Sequence, residues 1–217
     1  MNRDIWIFRD ARSGSTGFAK YMAELLSRKF YCIDGNQYQI NEDSITWGNT
    51  PSTELILNTH YPKTLINLHL YKDPFVFRCL RRNLCEQFLS LQLKAYVGNG
   101  FHNFEKFTDS PNKDGFYDFI QNSKLSISKK VVIEYLKMKK DDKDDWNKYT
   151  MGYQTHTIFY EDMNKPFDVP ELNLYGVQID SHTEKLPDYK RQVFMNYDEI
   201  DSWITELTPM FGLDSQD

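Results

Sequence analysis

The stretch Ile5-Trp6-Ile7-Phe8-Arg9-Asp10-Ala11-Arg12-Ser13-Gly14-Ser15-Thr16-Gly17-Phe18 decides how the rest of the chain is read. Its first four residues are apolar and β-branched or aromatic, the pattern of a short strand. Residues 9–14 are polar, charged or small. From Ser15 onward, Phe18, Tyr21, Met22, Leu25 and Leu26 recur at helical spacing, which predicts a helix from 15 to about 30. Backbone amides at such a helix start point at an anion, and the helix dipole favours negative charge there. Gly14 and Gly17 let a phosphate approach the backbone, and Ser15 and Thr16 add hydroxyl donors. The loop lacks a Gly-Lys-Ser/Thr ending, so it lacks the lysine and the magnesium-binding position of a nucleoside-triphosphatase loop. Taken alone, the Arg-Ser-Gly-Ser turn reads equally well as an ordinary loop.

Moving outward, the apolar run 55–57 predicts a second strand, closed by Asn58-Thr59-His60-Tyr61-Pro62, where the proline stops it and leaves His60 at its carboxyl end. Residues 75–80 predict a third strand, followed by Arg81-Arg82-Asn83 and a helix to about 97. Asn83 and Glu86 have the spacing of a capping box. Residues 98–126 read as a loop-rich insertion, 129–139 as a helix, and the mixed-charge run 139–145 as a solvated stretch. A last strand is expected over 155–160 and a carboxy-terminal helix over 197–210. Recurrent strand-to-helix transitions favour a single α/β domain over residues 1–217. The expected architecture is three-layer α/β/α, with a central parallel sheet and a phosphate-binding loop after the first strand.

With 217 residues, 40% of them apolar and 26% charged, the chain has the composition of one globular domain with a full core. Its formal net charge of −5 gives no sign of a nucleic-acid or anionic-membrane partner, so any anionic ligand needs a local basic site. No positively charged leader precedes a long apolar stretch, and no window approaches a membrane span, so a cytoplasmic location is expected. Cys32, Cys79 and Cys85 lack metal-type or redox-type spacing and read as reduced, buried thiols. Nothing in the sequence fixes an oligomeric state.

Three further positions carry candidate chemistry. Arg82 stands at a strand end and Ser90 eight positions later in the following helix, a spacing that lets a guanidinium and a hydroxyl meet one phosphate. His60, at the carboxyl end of a parallel strand, stands where open α/β sheets hold ligands, and a neutral imidazole there accepts a proton. His69, His102, His156 and His182 have no comparable context, and no cluster has metal-ligand spacing. Each element by itself also fits a structural role.

In this order, the elements resemble the sulfotransferase family that uses 3′-phosphoadenosine-5′-phosphosulfate (PAPS). Ala11-Arg12-Ser13-Gly14-Ser15-Thr16 occupies the place of the family's Pro-Lys-Ser-Gly-Thr-Thr loop, and bacterial-type members are closer still through Arg-Ser-Gly-Ser-Thr. Asn58-Thr59-His60-Tyr61-Pro62 is similar to Lys-Thr-His-Leu-Pro, Arg82-Asn83 to Ser90 fits the family's Arg-Asn-to-serine spacing, and Phe159-Tyr160-Glu161-Asp162-Met163 is similar to Phe-Tyr-Glu-Asp-Met/Leu. The resemblance implies a metal-independent enzyme that releases the bisphosphate PAP. It gives Ser13, Gly14, Ser15, Thr16 and Gly17 to the 5′-phosphosulfate, Arg82 and Ser90 to the 3′-phosphate, and Tyr160 to the adenine. Arg12 falls beside the bridging oxygen, with His60 as general base on a small-molecule, glycan, lipid or peptide acceptor. The chain departs from the family in three places. Asn58 replaces a lysine, Gly17 replaces a tryptophan that stacks on adenine, and the carboxy-terminal Arg-Lys-Gly clamp is missing, with Lys185, Lys190 and Arg191 as candidate substitutes. Two alternatives stand beside this reading: a nucleotide or nucleoside phosphotransferase with the same strand-loop-helix start, and a non-catalytic phosphoadenosine-binding protein.

Overall fold

Trp6, Phe8, Val76 and Leu80 are buried on one side of their strands, and Ile5, Ile7, Phe75, Phe77 and Cys79 on the other, so neither side of these strands faces solvent. Strands that are apolar on both faces belong in the middle of a parallel sheet, and that is where they lie. The computed structural model describes residues 5–9, 15–33, 55–59, 74–97, 120–179 and 189–213. Strands β1 (Ile5–Arg9), β2 (Lys29–Ile33), β3 (Leu55–Thr59), β4 (Phe75–Leu80) and β5 (Gln154–Phe159) form one sheet in the order β2-β3-β1-β4-β5. Every neighbouring pair is parallel. The protein is thus mixed α/β, and β1 sits at the centre of the sheet.

The chain divides into two compact units, residues 1–82 with 143–181 and residues 83–142 with 182–217. The first holds the sheet. Helix α1 (Ser15–Leu25) covers one face through Phe18, Ala19 and Met22, and Phe18 meets Phe77 edge-on with ring centroids 5.0 Å apart. On the other face Trp146 meets Phe8 edge-on at 5.0 Å, and the Arg78 guanidinium lies over the same indole. A small hairpin, β6 (Phe167–Val169) and β7 (Leu174–Val177), adds Val169 to the α1 side of the core. The second unit contains helix α2 (Leu84–Val97) and, towards the carboxyl terminus, α4 (Tyr189–Val193) and α5 (Tyr197–Leu207). Its core gathers Phe88, Leu89 and Leu93 with Val132, Leu136, Phe194, Ile200 and Ile204. The boundary between the units falls within the long helix α3 (Lys129–Thr150).

Several expected boundaries are corrected. The helix read as 15 to about 30 stops at Leu25, and Phe30 belongs to β2. Ser27 adopts a left-handed φ of 51°, its amide donates to the Glu24 carbonyl, and the Arg28 amide reaches back to Ala23 at 2.8 Å. This is a Schellman closure without its usual glycine. The helix read as 129–139 runs to Thr150, so the charged run 139–145 is helical. The run is largely solvated, as expected, except that Lys139 is buried. Buried Trp146 and Thr150 anchor the distal turns, and packing of that kind carries a helix through a stretch of indifferent propensity. The last strand ends at Phe159, with Tyr160–Asp162 forming a 3-10 turn, and the helix read as 197–210 gives way to a 3-10 turn at Thr208–Phe211. In the stretch read as a loop-rich insertion, residues 120–122 are helical and Leu125 pairs with Phe194; 98–119 lie outside the described residues. The expected cap of α2 is present, with the Glu86 amide donating to Asn83 Oδ1 at 2.8 Å. Among the described residues, no helix is long and apolar enough to cross a membrane.

Candidate functional site

The parallel pairing brings four strand ends to one edge of the sheet. Phe8 of β1 is level with Thr59 of β3, Arg9 with Cys79 of β4, and Leu80 of β4 with Phe159 of β5. From this edge the chain runs on to the first turn of α1, to Arg81 and Arg82, and to Tyr160–Asp162. In open α/β sheets the carboxyl edge is where ligands bind, at the point where successive connections leave in opposite directions. That point here is β1, which lies between β3 and β4.

Ser15, Thr16 and Gly17 form the opening turn of α1, whose backbone amides lack intrahelical acceptors by construction. Gly17 is exposed, and a Cβ built on it meets nothing within 4 Å among the described residues. Among those residues, packing therefore does not explain a glycine there. Arg12, Ser13, Gly14 and His60 lie outside the described residues, as does Lys185.

Arg82 is an exposed cation at this edge. Its side chain is 51% exposed, its guanidinium lies 3.8 Å over the Phe159 ring, and it pairs with Asp162 Oδ2. Its backbone amide donates to Glu161 Oε2 at 3.1 Å. Asp162 Oδ1 accepts from Lys165 Nζ at 2.7 Å, and the hydrogen bonds from Lys165 and Arg82 hold the carboxyl below its ordinary range. Arg81 lies over the Tyr160 ring at 4.8 Å and within 4.0 Å of Glu161. Tyr160 thus carries a guanidinium over its ring and is half-buried against the core of the first unit.

The other positions singled out from the sequence sit in the second unit. Ser90 is buried on α2, and its hydroxyl donates to the Glu86 carbonyl at 2.8 Å. Lys190 donates to that same carbonyl at 3.0 Å and pairs with the Glu86 carboxylate. Tyr197 donates to the other Glu86 oxygen at 3.1 Å. Burial, with Cys85 and Glu86 nearby, raises the Tyr197 phenol above its ordinary value. Burial, reinforced by Asp201, pushes the Cys85 thiol up to about 12. Arg191 pairs with Asp198 and lies over the Tyr197 ring at 4.1 Å.

Sequence reading quoted Phe159, Glu161 and Asp162 within the segment that resembles the family but gave a role there to Tyr160 alone, and it did not single out Lys165. The signal was present in one respect, since two arginines after β4 and two carboxylates after β5 form complementary runs, but they become partners only when Leu80 is set level with Phe159. His156 of β5 is half-buried against Phe77 and Phe167, and burial lowers its imidazole below the ordinary value. Among the described residues, no group of three or more His, Cys, Asp or Glu side chains is placed to hold a metal ion. No family model, no curated protein and no solved structure matches the chain.

Proposed function

We propose that the protein is a cytoplasmic sulfotransferase that moves a sulfuryl group from PAPS to a hydroxyl or amine of a small-molecule, glycan, lipid or peptide acceptor. The observation that carries the reading is the common edge: in a parallel sheet of order β2-β3-β1-β4-β5, the loop before α1, the residue after Thr59, Arg82 and Tyr160 all follow strand ends that lie level. Those are the four segments in which the sequence resembles the family. An exposed arginine, and a glycine on the first turn of a helix with no described residue crowding it, fit an anionic donor. The three-layer arrangement and the phosphate-binding character of residues 9–14 belong to the same proposal. So does a net charge of −5, which leaves anion binding to a local cluster.

The donor supplies an activated sulfuryl group on a good phosphate leaving group. His60 takes the proton of the acceptor as its oxygen or nitrogen bonds to sulfur. Arg12 stabilises the negative charge that builds on the departing phosphate as the bridging bond breaks. The α1 amides with Ser13, Gly14, Ser15, Thr16 and Gly17 hold the 5′-phosphosulfate end. Arg82, joined on the sequence resemblance by Ser90, holds the 3′-phosphate, and on the same resemblance Tyr160 takes the adenine. The reading assigns no metal.

Calorimetry with PAP and mass spectrometry of acceptors incubated with PAPS test the proposal together. Binding of PAP with an added sulfuryl mass on one acceptor class, lost in His60→Ala while PAP still binds, is the expected outcome. Binding of PAP with no transfer to any acceptor favours the non-catalytic phosphoadenosine-binding alternative. Magnesium-dependent consumption of ATP favours the phosphotransferase.

A further inference from the structure

We infer that Asp162 is a releasable counter-ion that masks Arg82 until a dianionic phosphate displaces it, which makes Asp162 a specificity-determining residue of the donor site. The inference rests on the reading that Arg82 meets the 3′-phosphate, and it goes beyond that reading by assigning roles to Asp162 and Lys165, to which that reading gives none.

Four observations carry it. The Arg82 guanidinium is stacked on Phe159 and its amide is tied to Glu161, so its plane and its stem are held independently of Asp162. The bond to the carboxylate is made by Nη1 of the guanidinium, on one oxygen, Oδ2. Arg82 is 51% exposed, so an incoming anion reaches the guanidinium without unfolding the turn. Finally, Asp162 already carries a second cation, Lys165, on its other oxygen.

That last feature makes the exchange cheap. Removing one partner from an ion pair is costly when it strands the other charge. Here the carboxylate keeps Lys165 when Arg82 leaves, and the guanidinium passes from a monoanion to a dianion that its planar donor fork fits equally well. A nucleotide without a 3′-phosphate gains nothing at Arg82, because the arginine stays with Asp162. The 3′-phosphate gains only the difference between the two pairings. Asp162 therefore lowers the affinity for the bisphosphate while leaving that for the 5′-monophosphate untouched, and Lys165 acts in the opposite sense by lending Asp162 a partner to fall back on.

The test is isothermal titration of the full chain with PAP and with adenosine 5′-monophosphate, on wild type, Asp162→Asn, Lys165→Met and Arg82→Met, with melting curves to confirm folding. Asp162→Asn is expected to tighten PAP roughly 2- to 5-fold and leave the monophosphate unchanged. Lys165→Met is expected to weaken PAP by a comparable factor, again without moving the monophosphate. Opposite signs from two exposed substitutions on one turn are not produced by loosening that turn, which would weaken both ligands in both variants. The inference is overturned if Asp162→Asn leaves PAP binding unchanged or weaker while Arg82→Met still abolishes the advantage of PAP over the monophosphate. If wild type binds PAP no better than the monophosphate and Arg82→Met changes nothing, the assignment of Arg82 to the 3′-phosphate fails, and the role of Asp162 falls with it.

Discussion

In the unit built on the parallel sheet, Arg82 meets Asp162 with its side chain 51% exposed; in the other unit, Lys190 meets Glu86 with its side chain 7% exposed. Both are cation–carboxylate pairs, and their surroundings give them different physical meaning. Lys190 also donates to the Glu86 carbonyl, and Tyr197 takes the second carboxylate oxygen, so the charges are embedded in a network that holds α2 to the carboxy-terminal helices. Arg82 and Asp162 sit in water at a sheet edge, where Coulomb attraction is screened and worth little to stability. A pair of the first kind maintains the fold. A pair of the second kind is free to exchange partners, which is what a ligand site requires.

Substitutions sharpen the contrast. Lys190→Met is expected to cost about 3 kcal/mol in urea or thermal unfolding, because it leaves the Glu86 carboxylate partly buried without its cation. A cost under about 1 kcal/mol would place this pair with the exposed one. The same unit should also lose stability in alkali. The Cys85 thiol is raised to about 12 from an ordinary 9.0, chiefly by burial, so its proton is held more tightly in the folded chain. Its contribution is complete below pH 9 and is lost as pH rises from 9 towards 12. The Tyr197 phenol is raised in the same direction, so Cys85→Ala should flatten this limb of a melting-temperature profile without removing it.

Gly17→Ala is expected to stabilise the chain by about 0.5–1 kcal/mol, since it adds helix propensity where the new methyl meets none of the described residues. In the proposed donor site the same substitution should weaken PAP, because the methyl takes the room a phosphate needs. A gain in stability with undiminished PAP affinity would leave the glycine without a functional reason. The smallest effect is expected from Arg82→Met, which should change unfolding free energy by less than about 1 kcal/mol, while PAP affinity falls by roughly ten-fold or more, as for the loss of a charge-assisted hydrogen bond.

The strands β1, β3 and β4 were legible because a buried parallel strand writes its own signature in a few adjacent apolar residues, as in Ile5-Trp6-Ile7-Phe8. The cap of α2 was legible for a similar reason, since Asn83 and the Glu86 amide lie within one turn. β2 was not. Lys29-Phe30-Tyr31-Cys32-Ile33 continues the apolar pattern of α1, and the stop between them rests on Ser27 in a left-handed conformation rather than on a glycine that would have announced it. The far half of α3 was hidden because its support comes from Trp146 against Phe8, a contact between segments distant in sequence.

The candidate site divides in the same way. The opening turn of α1 and Arg82 stood out by residue type and spacing, because strand-to-helix junctions and strand ends carry their chemistry locally, whereas Tyr160 came forward only through the family resemblance. Their gathering along one edge, and the meeting of Arg82 with Asp162 across 80 positions, depend on the register that sets Leu80 level with Phe159. Sequence alone determined which segments become buried strands and which helix starts are capped, since those outcomes rest on neighbours a few residues apart. Only the tertiary structure decided which charges meet, since a side chain 80 residues away becomes a neighbour only after the sheet has chosen its order and register.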